Sequence, residues 1–522
     1  MAKLYADKED QLNKHMDALE QEIQDQKQDI FFLQKQEAKR NEFRLAPPNA
    51  KNAFKGHKIV HLDLKGAPPK MQYLLDFVVL AKSLGATGFL IEYEDMFPWK
   101  GRYEVLKRKY AYSEDEVRSL LKVIRENGMI AIPLIQTFGH AEFILKHKEF
   151  KSFRETVDMA NSVCPSNPET FTFLKGMLDQ VIKLHPHARW FHLGGDEVWN
   201  IKTCKKCRAV KGSKADLYKS HMLPLVSYIS SRNNSQNRTM RSIIWDDMLR
   251  GWSENELKQI AVHADPMVWA YGAGLSFSGS MMSRYAKSFK TLWVASSFKG
   301  ALKPWSNIVP TRQHASNHIS WLNVIGQMTR SKISVTGIAL TGWSRYDHYG
   351  TMCELLPVAI PTLGLCLAIL SEGGYDSKLH LNVSKKLGYR GIFPMAVTNY
   401  KNYSPQKASY PGNDVISLVE QLESAITWHE SGKHHMGGWG RLYQVTKGEI
   451  SHHFGRAALS PNEVSLKKLI DLKSSANRTL SKYFDRSMVD EWIEDKVNDW
   501  LEKVNATVQL MKTGFKKSKM ND

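Results

Sequence analysis

The sequence predicts an α/β fold: a (β/α)8 TIM-type barrel with an N-terminal coiled-coil helix and a helical C-terminal region. Two observations carry that prediction. From residue 58 onward, eight short apolar segments alternate with amphipathic helical stretches. Several of those segments are continuously apolar rather than alternating, as in Ile-Ala-Ile-Pro-Leu-Ile-Gln at 130–136 and Ser-Ile-Ile-Trp at 242–245. A strand without a polar face is covered on both sides, which is the condition of a parallel sheet. A doubly wound open sheet would use the same units, but no Gly-rich phosphate loop follows the first strand.

Residues 1–46 stand apart from this pattern. Tyr5, Leu12, Met16, Leu19, Ile23, Ile30 and Leu33 fall on alternating three- and four-residue steps, with Glu9 and Gln26 at the polar gaps. That is a heptad seam, so a coiled coil and a homodimer are expected; the competing arrangement is an amphipathic helix docked on its own domain. Pro47, Pro48 and the stretch to Gly56 read as a linker.

The barrel is assigned to residues 57–404. Its strands are expected at Ile59–Leu64, Gly88–Tyr93, Ile130–Gln136, Trp190–Gly194, Ser242–Trp245, Met267–Tyr271, Leu292–Ser296 and Val335–Leu340. Helices are expected at Met71–Leu84, Glu114–Asn127, Phe171–Leu184, Asp216–Ser231 and His314–Thr329. Beyond about residue 405 the strand signal fades, and residues 405–522 read as helices packed on the barrel. Val415, Leu418, Val419, Leu422 and Ile426 share one helical face. Ser460-Pro461-Asn462-Glu463 has the form of a capping box with proline at the first helical position. Residues from Val489 to Val504 form a last amphipathic helix, and 514–519 read as a frayed end.

Composition narrows the function classes. The chain has 522 residues, a net charge of +19 and five cysteines. The positive balance favours acidic partners. No basic run is interleaved with aromatics as nucleic-acid stacking surfaces are, so a solvated basic surface is expected and nucleic acid is not. No apolar run is long enough to span a membrane, and no signal-peptide core is visible at the start. Six N-x-S/T sequons, at Asn233, Asn237, Asn382, Asn402, Asn477 and Asn505, point instead to a secretory or lysosomal route, which leaves the compartment open. Cys204 and Cys207 form a lone C-x-x-C. A zinc site would need a second ligand pair and none stands at usable spacing, so a local disulfide or two free thiols is expected. Cys164, Cys353 and Cys366 read as small hydrophobes.

The chemistry concentrates at Trp190-Phe191-His192-Leu193-Gly194-Gly195-Asp196-Glu197-Val198-Trp199. A buried strand runs into two glycines and two adjacent carboxylates, at the strand end where barrel active sites are built. Two carboxylates so close resist joint ionisation, so one is expected to titrate high and supply an acid beside an ionised partner. The glycines are expected to let a ligand approach the backbone.

His-Leu-Gly-Gly-Asp-Glu-Val-Trp at 192–199 resembles the signature of family 20 glycoside hydrolases, the β-N-acetylhexosaminidases. The segments at 61–70, 88–98, 132–143, 243–248, 341–350 and 353–357 resemble the hexosaminidase D branch, in the same order along the chain. The resemblance implies an exo-acting, retaining, substrate-assisted glycosidase acting on glycans with terminal β-linked GalNAc or GlcNAc, with no metal or organic cofactor. It implies that Glu197 is the general acid and base and that Asp196 orients the substrate's 2-acetamido group. By the same resemblance the compartment is cytoplasm or nucleus. His140 matches the family's active-site histidine, and Asp63 and Lys65 end the strand that holds sugar hydroxyls. Trp245, Trp269, Trp305 and Trp343 are candidates to wall the sugar. Asp246 or Asp247, Tyr346, Asp347 and Glu354 are candidates for its hydrogen bonds. Lys65 stands where many relatives have Arg, Gln136 and Phe138 replace Asp and Pro, and Arg345 replaces an acid whose role falls to Glu354. These departures leave the choice between GalNAc and GlcNAc open. A glycan-binding barrel without turnover is the alternative function.

Overall fold

The structure, a computed structural model, describes residues 46–521 except 398, 402 and 405, so the heptad segment and the homodimer expected from it lie outside the described residues. Eight parallel strands close into a barrel, with β1 (His57–Asp63), β2 (Gly88–Glu92) and β3 (Ile130–Leu134) leading the chain. After β3 the chain inserts an antiparallel hairpin, β4 (Arg154–Thr156) and β5 (Met159–Val163). The barrel resumes with β6 (Trp190–His192), β7 (Arg241–Trp245), β8 (Ala264–Trp269), β9 (Thr291–Lys299) and β10 (Ser334–Gly342). β10 returns to pair with β1, from His57 against Gly337 to Val60 against Leu340, and this closes the ring.

All eight barrel strands fall where the sequence places them, with shifted ends. β6 stops at His192, two residues early, because Gly194 and Gly195 are left-handed with φ of 66° and 87°. The hairpin was not anticipated, since its strands are three and five residues long. Helices at Glu114–Glu126, Lys214–Ser230 and Glu254–Ala261 each begin with a capping box, built on Ser113, Ser213 and Ser253. The first barrel helix, Met71–Leu84, ends on Gly85 at φ 106°, a left-handed stop that suits glycine.

Inside the barrel, alternate residues of the strands point to the axis. Ile59, Leu90, Ile132, Ile243, Met267 and Trp293 fill the floor. A Cβ on Gly337 would sit 2.3 Å from the Trp293 ring, so the missing side chain there makes room for the indole.

The C-terminal region is helical. Helices Asn413–Trp439 and His452–Leu480 pack in opposite senses, joined by Ser465 Oγ donating to Ala425 O at 2.7 Å and by a 2.6 Å contact between His429 Nδ1 and Asn462 Oδ1. The second of these runs through Pro461 rather than starting there; its cap is Ser451, whose Oγ accepts from Phe454 N at 3.4 Å. Packing against the neighbouring helix carries it past the lost hydrogen bond. The last helix runs without a break from Arg486–Trp492 through a π turn over Ile493–Asn498 into Asp499–Asn521. The expected frayed end is helix: Gly514 lies so close to Ile450 that a Cβ would meet it at 2.2 Å, and Phe515 is buried.

This region abuts the loops at the C-terminal end of the barrel. Arg345 pairs with Glu491, Lys496 Nζ donates to Thr351 Oγ1 at 2.8 Å, and Lys70 Nζ donates to Ser481 O at 2.6 Å. Among the described residues no helix is long and apolar enough to cross a membrane.

Candidate active site

The sequence after β6 determines the centre of the site. A Cβ on Gly194 would lie 1.8 Å from Gln136 Oε1, and one on Gly195 would lie 2.7 Å from Tyr218 Oη. The glycines therefore serve the turn and its packing against protein, not the approach of a ligand as the sequence suggested. Tyr218 Oη donates to Gly195 O at 2.8 Å and His192 Nδ1 accepts from Gly194 N at 3.0 Å, which fixes the turn from both sides.

The turn delivers two carboxylates to one pocket of about 460 Å³ in unequal settings. Asp196 is buried, and its Oδ1 has no hydrogen-bond partner. Glu197 is about a third exposed, at 37% for its side chain, and its backbone sits at φ 48°. A non-glycine residue held left-handed costs about 1–3 kcal/mol and such strain clusters at functional sites. Part of the restraint is Glu197 N–H donating to Asp247 Oδ2 at 2.9 Å.

His140, also left-handed at φ 50°, lies 3.2 Å from Glu197 Oε2 and 3.6 Å from Asp196 Oδ2. Burial opposes its charge, but Asp196, Glu197 and Glu142 together push it up to about 10, so it is an imidazolium at neutral pH. Asp196 titrates high, although the resemblance makes it the residue that orients the acetamido group and not the acid. Burial pushes it up to about 7 against the pull of His140, with Asp247 and Glu197 adding to the rise. The expected mutual repulsion is present, but desolvation leads.

Around this pair the strand ends supply walls and charge. Trp245 and Trp343 stand 6.1 Å apart, and Trp269 stacks near Tyr271 at 5.4 Å. Trp343 Nε1 donates to Tyr271 Oη at 3.3 Å. Lys65 Nζ lies 3.0 Å from Asp63, 3.6 Å from Glu92 and 5.1 Å from the Trp343 ring centre. Burial works against the Lys65 cation, yet Asp63, Glu92 and Glu94 hold it charged well above the ordinary lysine value. Glu142 is pushed up to about 7, by burial first and against the pull of His140.

Of the residues singled out from sequence, Lys65, His140, Asp196, Glu197, Trp245, Trp269, Trp343, Tyr346 and Asp347 line this pocket. Four do not. Asp63 sits beneath it, accepting from Ser344 N at 2.7 Å and pairing with Lys65. Glu354 is also beneath, accepting from Gly300 N at 2.8 Å, and burial pushes it up to about 7. Asp246 faces the other way, with both oxygens held by Arg250 at 2.9 and 2.8 Å. Trp305 is 63% exposed and off the pocket. Arg345 turns from the pocket to Gly350 O and Glu491.

Strand alternation carries part of the signal. Counting by twos along β7 gives Ile243 and Trp245; along β8 and one step past its end it gives Met267, Trp269 and Tyr271. That row finds Tyr271, which lines the pocket and was not singled out, but it does not separate Asp246 from Asp247, because the chain leaves the strand at Trp245 and turns helical at Asp246. Glu142 and Asn161, also pocket residues, come from the segment following β3 and from the hairpin, where no periodicity applies. A larger cleft of about 670 Å³ opens at the opposite end of the barrel, lined by Arg118, Arg125, Arg189 and Arg238 among others, without paired carboxylates.

The cysteines correct one sequence expectation. Cys164 is not a simple hydrophobic filler: its Sγ lies 3.5 Å from both Cys204 and Cys207, and Glu155 completes a group of four.

Residues 93–278 match the catalytic-domain model of glycosyl hydrolase family 20. The chain is 36% identical to Hexosaminidase D of Homo sapiens over 472 residues, covering 87% of this chain and 93% of that protein. It is 41% identical to Hexosaminidase D of Bos taurus over 348 residues, covering 65% of this chain and 99% of that protein. A solved chitobiase of Flavobacterium johnsoniae is a distant likeness, at 12% identity and a TM-score of 0.44, covering 88% of this chain and 73% of that one.

Proposed function

The chain belongs to the family 20 glycoside hydrolases and is a β-N-acetylhexosaminidase; from that premise we propose that it releases terminal β-linked GalNAc or GlcNAc, with retention, using the substrate's own 2-acetamido group. The supporting observation is the inequality of the carboxylate pair. Asp196 is buried with Oδ1 unpartnered, whereas Glu197 reaches the open part of the same pocket.

In this reading Glu197 protonates the departing glycosidic oxygen. The acetamido carbonyl oxygen attacks the anomeric carbon from the other face, the glycosidic bond breaks, and an oxazolinium forms. Asp196 Oδ1 accepts the acetamido N–H, which aligns the nucleophile and offsets the positive charge that develops on it. Glu197, now ionised, takes a proton from water as the water attacks the same carbon, and two inversions give net retention. His140, charged and within 3.6 Å of both carboxylates, holds them in place. Trp245, Trp269 and Trp343 offer faces for the sugar's C–H surfaces.

The test is hydrolysis of paired aryl β-GalNAc and β-GlcNAc substrates from acidic to neutral pH. Glu197→Gln is expected to lose about 10²–10⁴-fold in kcat on substrates with poor leaving groups, and the ratio of the two wild-type rates gives the sugar preference. An undiminished rate in the variant would exclude Glu197 as the acid.

A further inference from the structure

We propose that Glu155, Cys164, Cys204 and Cys207 form a structural zinc site that clamps the loop carrying the catalytic carboxylates to the β4–β5 hairpin. The inference stands apart from the catalytic mechanism, whose chemistry needs no metal.

The four residues come from three separate stretches of chain. Glu155 lies in β4, Cys164 follows β5, and after β6 Cys204 caps the short helix Lys205–Ala209, which contains Cys207. One ligand atom from each lies within 4.8 Å of every other. Cys164 Sγ is 3.5 Å from each of the other two sulfurs. A tetrahedral zinc with bonds of about 2.3 Å to sulfur sets its ligand atoms about 3.8 Å apart. The 3.5 Å sulfur pairs need only a small expansion, and no separation, being within 4.8 Å, needs more than about 1 Å of contraction.

Two further observations point to a cation rather than to buried thiols. Glu155 is 1% exposed, and its Oε2 has no partner, while Oε1 accepts from Thr203 N at 2.6 Å and Cys204 N at 3.0 Å. A buried carboxylate oxygen left unpaired among sulfurs is costly unless something positive sits there. The backbone supplies the pattern that thiolates use: Cys207 N–H donates to Cys204 Sγ at 3.2 Å. Three soft sulfurs with one carboxylate, no open position and a tetrahedral spread suit zinc better than calcium or magnesium, which take oxygen ligands. On binding, the three thiols release their protons to solvent. The resulting excess negative charge lies among Lys202, Lys205, Lys206 and Arg208.

The clamp has a structural consequence. Glu197 and Trp199 precede Cys204 on the same loop, and Asn200 Nδ2 donates to Asn161 Oδ1 of the hairpin at 2.9 Å. Zinc would close the far end of that loop against the hairpin that contributes Asn161 to the pocket.

The experiment uses the full chain purified under reducing conditions, stripped with a chelator and titrated with Zn²⁺ against a chromophoric competitor. One zinc per chain is expected, and Cys207→Ser should abolish stoichiometric binding. Glu155→Gln keeps the shape and all three sulfurs, and should weaken binding by at least about 10-fold, because losing a ligand costs no less than losing a group that orients one. Because a cysteine variant can fail by misfolding, Co²⁺ is also loaded into the unaltered chain, where thiolate-to-cobalt charge-transfer absorption and tetrahedral d–d bands are expected. Zinc bound at well under one equivalent, cobalt spectra without sulfur bands, or a disulfide among these cysteines in the chain as isolated would each overturn the proposal.

Discussion

At the floor of the barrel the inward row reads Ile59, Leu90, Ile132 and Ile243, whereas two to four residues along the same strands it reads Asp63, Glu92, Gln136 and Asp247. Asp63, Glu92 and Gln136 are as buried as the floor, and Asp247 is half-buried. The floor buries groups that gain from leaving water, and the rim buries groups that lose by it. Asp196 Oδ1, Gln136 Oε1 and Trp245 Nε1 are all buried around the pocket without partners. The contrast teaches that the floor carries the stability on which a polar, incompletely paired rim depends, so substitutions should separate the two roles.

The largest effect on stability is expected at the floor. Leu90 is fully buried, and Leu90→Ala should cost about 2–5 kcal/mol by removing transfer energy and leaving a cavity. Denaturant midpoints measure this, and the surviving folded protein should keep its KM. A KM that rose with the loss of stability would mean that the two ends are coupled and the contrast overstated.

At the rim the sign should reverse. Asp196 titrates at about 7 in the fold instead of near 3.8. Its contribution to stability is therefore complete below its ordinary value and is lost as pH rises through about 7. Asp196→Asn imitates the protonated group at every pH. The variant should lose turnover on acetamido substrates, yet melt higher than the parent at pH 7.5 by about 1 °C, a gain of roughly 1 kcal/mol. At pH 5 the advantage should shrink. A lower melting temperature at both pH values would show that the buried carboxylate is satisfied by contacts that its geometry does not reveal.

How far the sequence reached follows the same division. The floor was legible because apolar strands announce themselves by runs such as Ser242–Trp245, and the carboxylate pair because it follows a strand directly. The rim was legible only in part. Adjacent Asp246 and Asp247 have opposite fates, one neutralised by Arg250 and the other holding Glu197 and accepting from Trp269 Nε1 at 3.2 Å. Neither motif likeness nor alternation distinguishes them, because β7 ends at Trp245 and the backbone turns helical at Asp246. The sulfur cluster was hidden for a different reason. Cys164 lies 40 residues before Cys204 and Glu155 lies 9 before Cys164. Only the short hairpin between β3 and β6 folds them together, and three- and five-residue strands leave no periodic trace. Trp305, singled out with the other tryptophans, sits in a loop whose distance from the last strand carries no facing information.

The smallest expected effect tests how the rim manages its own charge. His140 is the group that pulls Asp196 down against burial, and it is itself held charged by Asp196, Glu197 and Glu142. Removing the cation in His140→Gln leaves burial and the neighbouring carboxylates unopposed, so Asp196 should titrate higher still. If ionised Asp196 aligns the acetamido group, the acidic limb of kcat/KM should move to higher pH, by about half to one unit given a partly exposed cation at this distance. The pH-independent limit fitted to the profile, its plateau, should change less than the position of the limb, because that limit refers to ionised Asp196 in both proteins. A limb that stays in place while the plateau falls would assign His140 to holding Glu197 rather than to balancing Asp196. A limb that moves down would mean that another group controls it, with Glu142 and Glu354, each near 7, the next to vary.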